Sequence, residues 1–234
     1  MDHLQIHSER TQPALVHGAR LPWLPSPEQG VERRMLERSG GEVALASSIV
    51  RYRAGSRFHT HEHVLGEEFL VLEGTFSDQH GHYPAGTYVR NPPGSAHAPF
   101  SDHGCVIFVK LRQMSSDESE QITILPADQV WSANKLSWHE RAVLYGNGRI
   151  GVSLERVHPD IELPAHASAG GEEIFVVEGS VRLLCDDQPM LEAWSWFRHP
   201  GNKHPGLMSD TGALLWVKRG HLSASDFERD RETN

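Results

Sequence analysis

Cysteine, clusters of positive charge and long apolar runs are all scarce in this 234-residue chain, and each absence removes a class of protein. The only cysteines are Cys105 and Cys185, and no Cys-x2-Cys pair occurs, which excludes a structural zinc knuckle and a disulfide framework. Each lies beside an apolar run, in GCVIFVK and VRLLCDD, and reads as a small buried hydrophobe in a reducing compartment. Lysine and arginine number 22 against 31 acidic residues, the formal net charge is -9, and no basic run stands out. That balance argues against nucleic acid, whose phosphates need a concentrated basic surface. No apolar stretch near the N-terminus serves as a signal peptide and none later reaches membrane-spanning length, so no membrane association and a cytoplasmic address are expected. Helical periodicity is missing too. Short apolar runs between Gly and Pro turns predict an all-β barrel or double-sheet jelly roll.

What the chain does have is a concentration of histidines between Gly55 and His97. Gly55 is followed by His61-Glu62-His63, then Glu67, then Gly74; Gly86 is followed by Pro92-Pro93-Gly94 and His97. On a strand, side chains alternate with period two, so His61 and His63 share a face while Glu62 points away. Glu67 opens the apolar run Phe69-Leu70-Val71-Leu72, which reads as a buried strand able to present its carboxylate to the same point. The Pro-Pro-Gly turn holds the start of the strand that carries His97. Three imidazoles and one carboxylate suit a divalent transition metal, with zinc the leading expectation and iron, nickel or manganese also compatible.

These residues follow G-x5-H-x-H-x3-E-x6-G and G-x5-P-x-G-x2-H, the two signatures of the cupin superfamily, with Ser101 where the second usually has Asn. Within it, FHTHEHVLGEEFLVLEG and YVRNPPGSAHAPF resemble the cupin-like domain of the anti-sigma factor ChrR, although Phe58-His59 stands where relatives have Phe-Pro. The resemblance implies a cupin barrel with His61, His63, Glu67 and His97 as metal ligands. His59 shares their strand face and is read as lining or supporting the pocket. His80 and His82 sit in the polar stretch Ser77 to Gly86 and are read as exposed loop histidines.

The pattern then recurs at an offset of 105 residues: His166 matches His61, Glu172 matches Glu67, Gly179 matches Gly74, and GEEFLVLEG becomes GEEIFVVEG. Further on, His204 matches His97 and CVIFVKLR becomes ALLWVKRG. A duplicated unit of this length implies two tandem jelly-roll barrels, a bicupin. The expected domains are residues 1–125, including an irregular Pro-rich arm over the first thirty residues packed on the first barrel, and 126–234, ending in a charged tail from Ser223 that is frayed or disordered. In the second copy Ser168 replaces the counterpart of His63. His166, Glu172 and His204 can still hold iron or zinc, with His199 a compensating ligand or a turn residue; a barrel retained without metal is the alternative.

Two functions stay open. Resemblance to the ChrR domain implies a stress-sensing, regulatory cupin with a regulatory protein partner, here without the zinc-bearing sigma-binding part, since no cysteine precedes Cys105. The alternative is a non-haem Fe(II) dioxygenase acting on a small dicarbonyl or phenolic ligand, with Phe58, Phe69, Tyr88, Arg90 and Phe100 as pocket walls or as barrel core. A homodimer is expected in either case.

Overall fold

The computed structural model describes residues 4–41, 43–134 and 139–223, so most of the charged tail lies outside the described residues. Within them the chain is strand and turn, with two single-turn 3-10 segments at Gly18–Arg20 and Pro126–Asp128. No helix among the described residues is long and apolar enough to cross a membrane.

The strands form two tandem jelly-roll barrels of the same topology. In the first unit the main path runs Leu4–Ile6, Val31–Gly40, Ala44–Tyr52, Cys105–Leu111, Glu67–Asp78, Tyr88–Asn91 and Ile122–Ile124, all antiparallel. In the second it runs Trp131–Asn134, His139–Gly146, Gly151–Val157, Ala213–Arg219, Glu172–Leu184, Ser195–His199 and Ala14–His17. Each interior is filled by alternate residues of these strands, as period-two patterning requires: Phe69, Val71, Phe76, Val89, Ile107 and Val109 in the first, Ile174, Val176, Val181, Phe197, Leu215 and Val217 in the second. The glycine closing each first signature has a packing reason. Gly74 and Gly179 have φ of 70° and 74°, and a Cβ on them would lie 2.2 and 2.1 Å from the carbonyl oxygens of Gly104 and Gly212.

The division of the chain differs from the expected one in two places. Residues Glu9–Arg20 cluster with the second unit, and the first unit continues to Asp128. The arm is drawn away by strand pairing: Ala14 lies opposite Arg198 and Val16 opposite Trp196, while Leu15 packs against the second core. The Arg198 guanidinium donates to the carbonyls of Glu9 and Gln12. Ile122–Ile124 in turn pairs with Tyr88–Asn91 and holds the end of the first unit, which runs on to Asp128.

Candidate metal centre

A two-stranded ribbon, His61–His63 against Ser95–His97, sets His97 directly across from His61. Glu67 begins the next strand, paired with Asn91 on one side and Leu111 on the other. The three imidazoles converge, with ligand atoms within 4.8 Å of one another. Ring centroids of His61 and His63 are 4.9 Å apart at 79°, of His61 and His97 5.1 Å at 66°, and of His63 and His97 4.7 Å at 74°. Such mutually edge-on rings aim nitrogen atoms at a common point. Glu67 adjoins two of them, its Oε2 3.4 Å from the Nε2 atoms of both His63 and His97, while the group of mutually close ligand atoms consists of the three histidines.

Hydrogen bonds behind the rings set their orientation. His97 Nδ1 meets Asp78 Oδ2 at 3.1 Å and His61 Nδ1 meets the carbonyl of His59 at 3.1 Å. With Nδ1 donating backwards, Nε2 carries its lone pair inwards. The Nε2 atoms of His63 and His97 are buried and have no hydrogen-bond partner. Burial depresses the pKa of His63. Burial acts the same way on His97, but the hydrogen bond to Asp78 and the charge of Glu67 outweigh it and raise that pKa. Glu67 Oε2 also accepts from the Asn91 side-chain amide at 3.0 Å.

The second unit assembles His166, Glu172 and His204 within the same 4.8 Å limit. Its chemistry is different. His166 and His204 are stacked at 26° rather than edge-on. His166 Nε2 bonds Glu172 Oε2 at 2.9 Å, and the Arg219 Nε donates to the same oxygen at 2.6 Å. Ser168 turns its hydroxyl into its own turn, donating to the Gly171 carbonyl, and His199 stands outside the cluster.

Residues 11–115 match the family described as the ChrR cupin-like domain. That stretch is similar to a ChrR-type cupin-like domain. A comparison with curated protein sequences returns no match. Among solved structures, a candidate dioxygenase from Nostoc punctiforme is similar at 12% identity with a TM-score of 0.72, covering 92% of this chain and 86% of that one. Protein YlbA from E. coli is similar at 11% identity with a TM-score of 0.70, covering 94% and 95%. Oxalate decarboxylase from Bacillus subtilis, a protein with Mn(II) centres, is similar at 13% identity with a TM-score of 0.64, covering 88% and 76%. At these identities the likeness establishes the fold: both units are cupin barrels.

The centre of the first cupin barrel opens into a cavity of about 410 Å³. His61, His63 and Glu67 lie at one part of its wall, Val31, Val50, Ile107, Val109 and Leu111 supply aliphatic surface, and Arg33, Arg38 and Arg112 supply positive charge. Of the five residues considered as pocket walls, Phe58 lines this cavity, beside Tyr52. Phe69 is in the barrel core. Tyr88 and Arg90 project from the other face of their strand, where Tyr88 donates to Glu68 at 2.7 Å and Arg90 pairs with Glu68 and Glu118. Phe100 is half-buried under the Arg57 guanidinium. The side chain of His59 is exposed and only its carbonyl supports the site; His80 and His82 are exposed as expected, but His82 lies on the strand Gly81–Pro84 opposite Ser77, whose hydroxyl meets its Nδ1 at 2.9 Å, and not in a loop.

Asp78 and Asn91 are participants that motif spacing does not reveal, although both carry a signal. Asp78 holds the same strand parity as the core residue Phe76, and Asn91 immediately precedes Pro92.

Proposed function

We propose that the first barrel is a divalent-metal site, held by His61, His63, Glu67 and His97, that binds and transforms a small anionic, oxygen-rich compound such as a dicarbonyl or carboxylate. The observation that carries this reading is the pair of buried, unpartnered Nε2 atoms on His63 and His97, both facing one Glu67 oxygen. A buried polar atom left without a partner costs about 1–3 kcal/mol, and a divalent cation satisfies imidazole lone pairs and a carboxylate together. Zinc, iron, nickel and manganese all fit this donor set. A metal held there supplies Lewis acidity and, if it is iron or manganese, redox chemistry.

The protein's own residues do the rest. Asp78 and the His59 carbonyl fix the orientation of His97 and His61. Val31, Val50, Val109 and Leu111 exclude water from the approach, and Arg33, Arg38 and Arg112 favour an anion. The size of the cavity supports a small ligand rather than a protein surface as what reaches the site. The candidate dioxygenase and the manganese-containing decarboxylase of the same fold support an enzyme reading. A second reading, a regulatory cupin acting on a protein partner, is favoured by the match of residues 11–115 to the ChrR domain.

Elemental analysis of protein purified anaerobically from cells supplied with iron and zinc, followed by oxygen uptake with 1,3-dicarbonyls, catechols and small dicarboxylates, separates the two. Iron or manganese with turnover supports the enzyme; zinc with no oxygen consumption and no turnover supports the regulator. The pair His61→Ala and Glu67→Ala is expected to remove one metal per chain, and unchanged metal content refutes the site.

A further inference from the structure

We infer that the second barrel holds no metal, because the guanidinium of Arg219 is its resident cation, and that the chain therefore binds a single metal ion, in the first barrel. The two barrels align residue by residue through their strand pairing. Glu67 lies opposite Leu111 where Glu172 lies opposite Arg219. Ile107 lies opposite Val50 where Leu215 lies opposite Glu155. Tyr52 lies opposite Val31 where Val157 lies opposite His139. Three aliphatic residues that line the first cavity, Val31, Val50 and Leu111, are thus replaced by His139, Glu155 and Arg219 on the wall of a cavity of about 330 Å³ in the second barrel.

The replacements form one connected set. His139 Nε2 meets Glu155 Oε2 at 3.0 Å, both ends of the Glu155 carboxylate accept from Arg219, and Arg219 continues through its Nε to Glu172. The carboxylate that would ligate a metal already accepts from a guanidinium and from His166. A divalent ion there would face a fixed positive charge, and at Glu172 Oε2 it would compete with two hydrogen bonds already made. Of the three candidate ligands, only His204 keeps a buried Nε2 without a hydrogen-bond partner, and the Ser168 hydroxyl points away.

The test is a zinc count on the full-length chain, equilibrated with Zn(II) and desalted, with Co(II) absorption as a second readout of the ligand field. One zinc is expected in the unaltered chain and none in the His61→Ala, Glu67→Ala variant. A third variant, Arg219→Leu with Glu155→Val and Ser168→His, gives the second barrel the first barrel's residues and is expected to gain a zinc, for two per chain. Two zinc ions in the unaltered chain, or one that survives the first-barrel substitutions and disappears on adding His166→Ala, overturns the inference. The first two counts decide it whether or not the triple variant folds; a triple variant that folds and stays at one zinc removes Arg219 as the cause. The count of one rests on the reading of the first barrel, and the two failures are distinguishable: an unaltered chain without zinc refutes that reading and leaves the second barrel metal-free, whereas a zinc that survives the first-barrel substitutions refutes the assignment of the second barrel.

Discussion

Replacing Asp78 by asparagine separates the bond behind His97 from the turn that the same carboxylate holds. Asp78 Oδ1 accepts from the backbone N–H of His80 at 2.8 Å and Gly81 at 3.2 Å and from the Tyr83 hydroxyl at 3.1 Å, while Oδ2 faces His97 Nδ1. Asparagine has one carbonyl oxygen for these four donors. Three of them converge on Oδ1, so the carbonyl stays with the turn and the amide NH2 is left against His97. Two donors then face each other, and the imidazole relieves the clash by moving its proton to Nε2, which removes the lone pair aimed at Glu67. Loss of a carboxylate behind a histidine ligand weakens metal binding roughly 10–100-fold, which corresponds to about 1.4–2.7 kcal/mol. The assay is a competition titration of metal against a chromophoric chelator, with circular dichroism and the metal-free melting midpoint as controls for the retained turn. Tyr83→Phe removes a different bond to the same carboxylate and is expected to leave affinity within about twofold. An Asp78→Asn protein that is folded and binds metal as tightly as the unaltered chain refutes the orientation argument.

Three further outcomes are expected. Val16→Asp puts a charge on a buried strand residue opposite Trp196; losing the burial alone costs about 1.5–3 kcal/mol, and a scanning melt should show loss of stability while the metal content of the first barrel is unchanged. Thiol titration at pH 8 should find one reactive cysteine in the native chain and two in denaturant, since Cys185 is exposed while Cys105 is buried with its thiol pushed up to about 11 by burial, against the opposing hydrogen bond to Ser101. For Glu155, burial would raise the carboxyl, but His139 and Arg219 hold it far below 4.5. A depressed carboxylate contributes stability that is present above its unfolded pKa and lost as pH falls through the folded one. The gap in urea midpoint between the unaltered chain and Glu155→Gln should therefore be full at pH 7 and shrink only below pH 4.5; a gap independent of pH refutes the charge pairing.

The barrel fold was legible because its signals are local. Period-two patterning, Gly and Pro punctuation and the recurrence of GEEFLVLEG as GEEIFVVEG each reside in a few consecutive residues. Pairing partners are not local. The alternation in Ala14–His17 marks a strand and its buried face but carries nothing that selects Ser195–His199, some 180 positions away, over the barrel that follows it in the chain. The mirror case is Ile122–Ile124, which precedes the second repeat and completes the sheet of the first. Ala14 opposite Arg198 and Ile122 opposite Arg90 are the same pairing made twice. Each repeat is thus led in the chain by the strand that finishes the other unit; a boundary after residue 125 keeps Ile122–Ile124 with the first unit, as its pairing requires, but leaves Ala14–His17 in the wrong one.

At the centre itself, ligand spacing finds the residues that would touch a metal and misses those that decide whether one binds. Judged by ligands alone, the second barrel loses only the counterpart of His63 and keeps His166, Glu172 and His204. The deciding residue is Arg219, in the last strand, and its signal lies in the repeat alignment, where CVIFVKLR ends in an aliphatic residue and an arginine while ALLWVKRG brings the arginine one position earlier. The physics of burial makes that shift more than drift. An arginine alone beside Glu172 would leave most of its donors unsatisfied, and Glu155 alone, buried among the residues that replace an aliphatic wall, would be an uncompensated charge costing about 3–5 kcal/mol. Each change offsets the cost of the other, and His139 and Ser153 add a further hydrogen bond to each carboxylate oxygen. Charged residues that stabilise one another as a set, occupying positions that in the sister barrel are uniformly aliphatic, are an alternative solution to the same problem of neutralising a buried glutamate: one copy leaves Glu67 facing unpartnered imidazoles that a mobile ion can satisfy, and the other supplies the cation from its own chain.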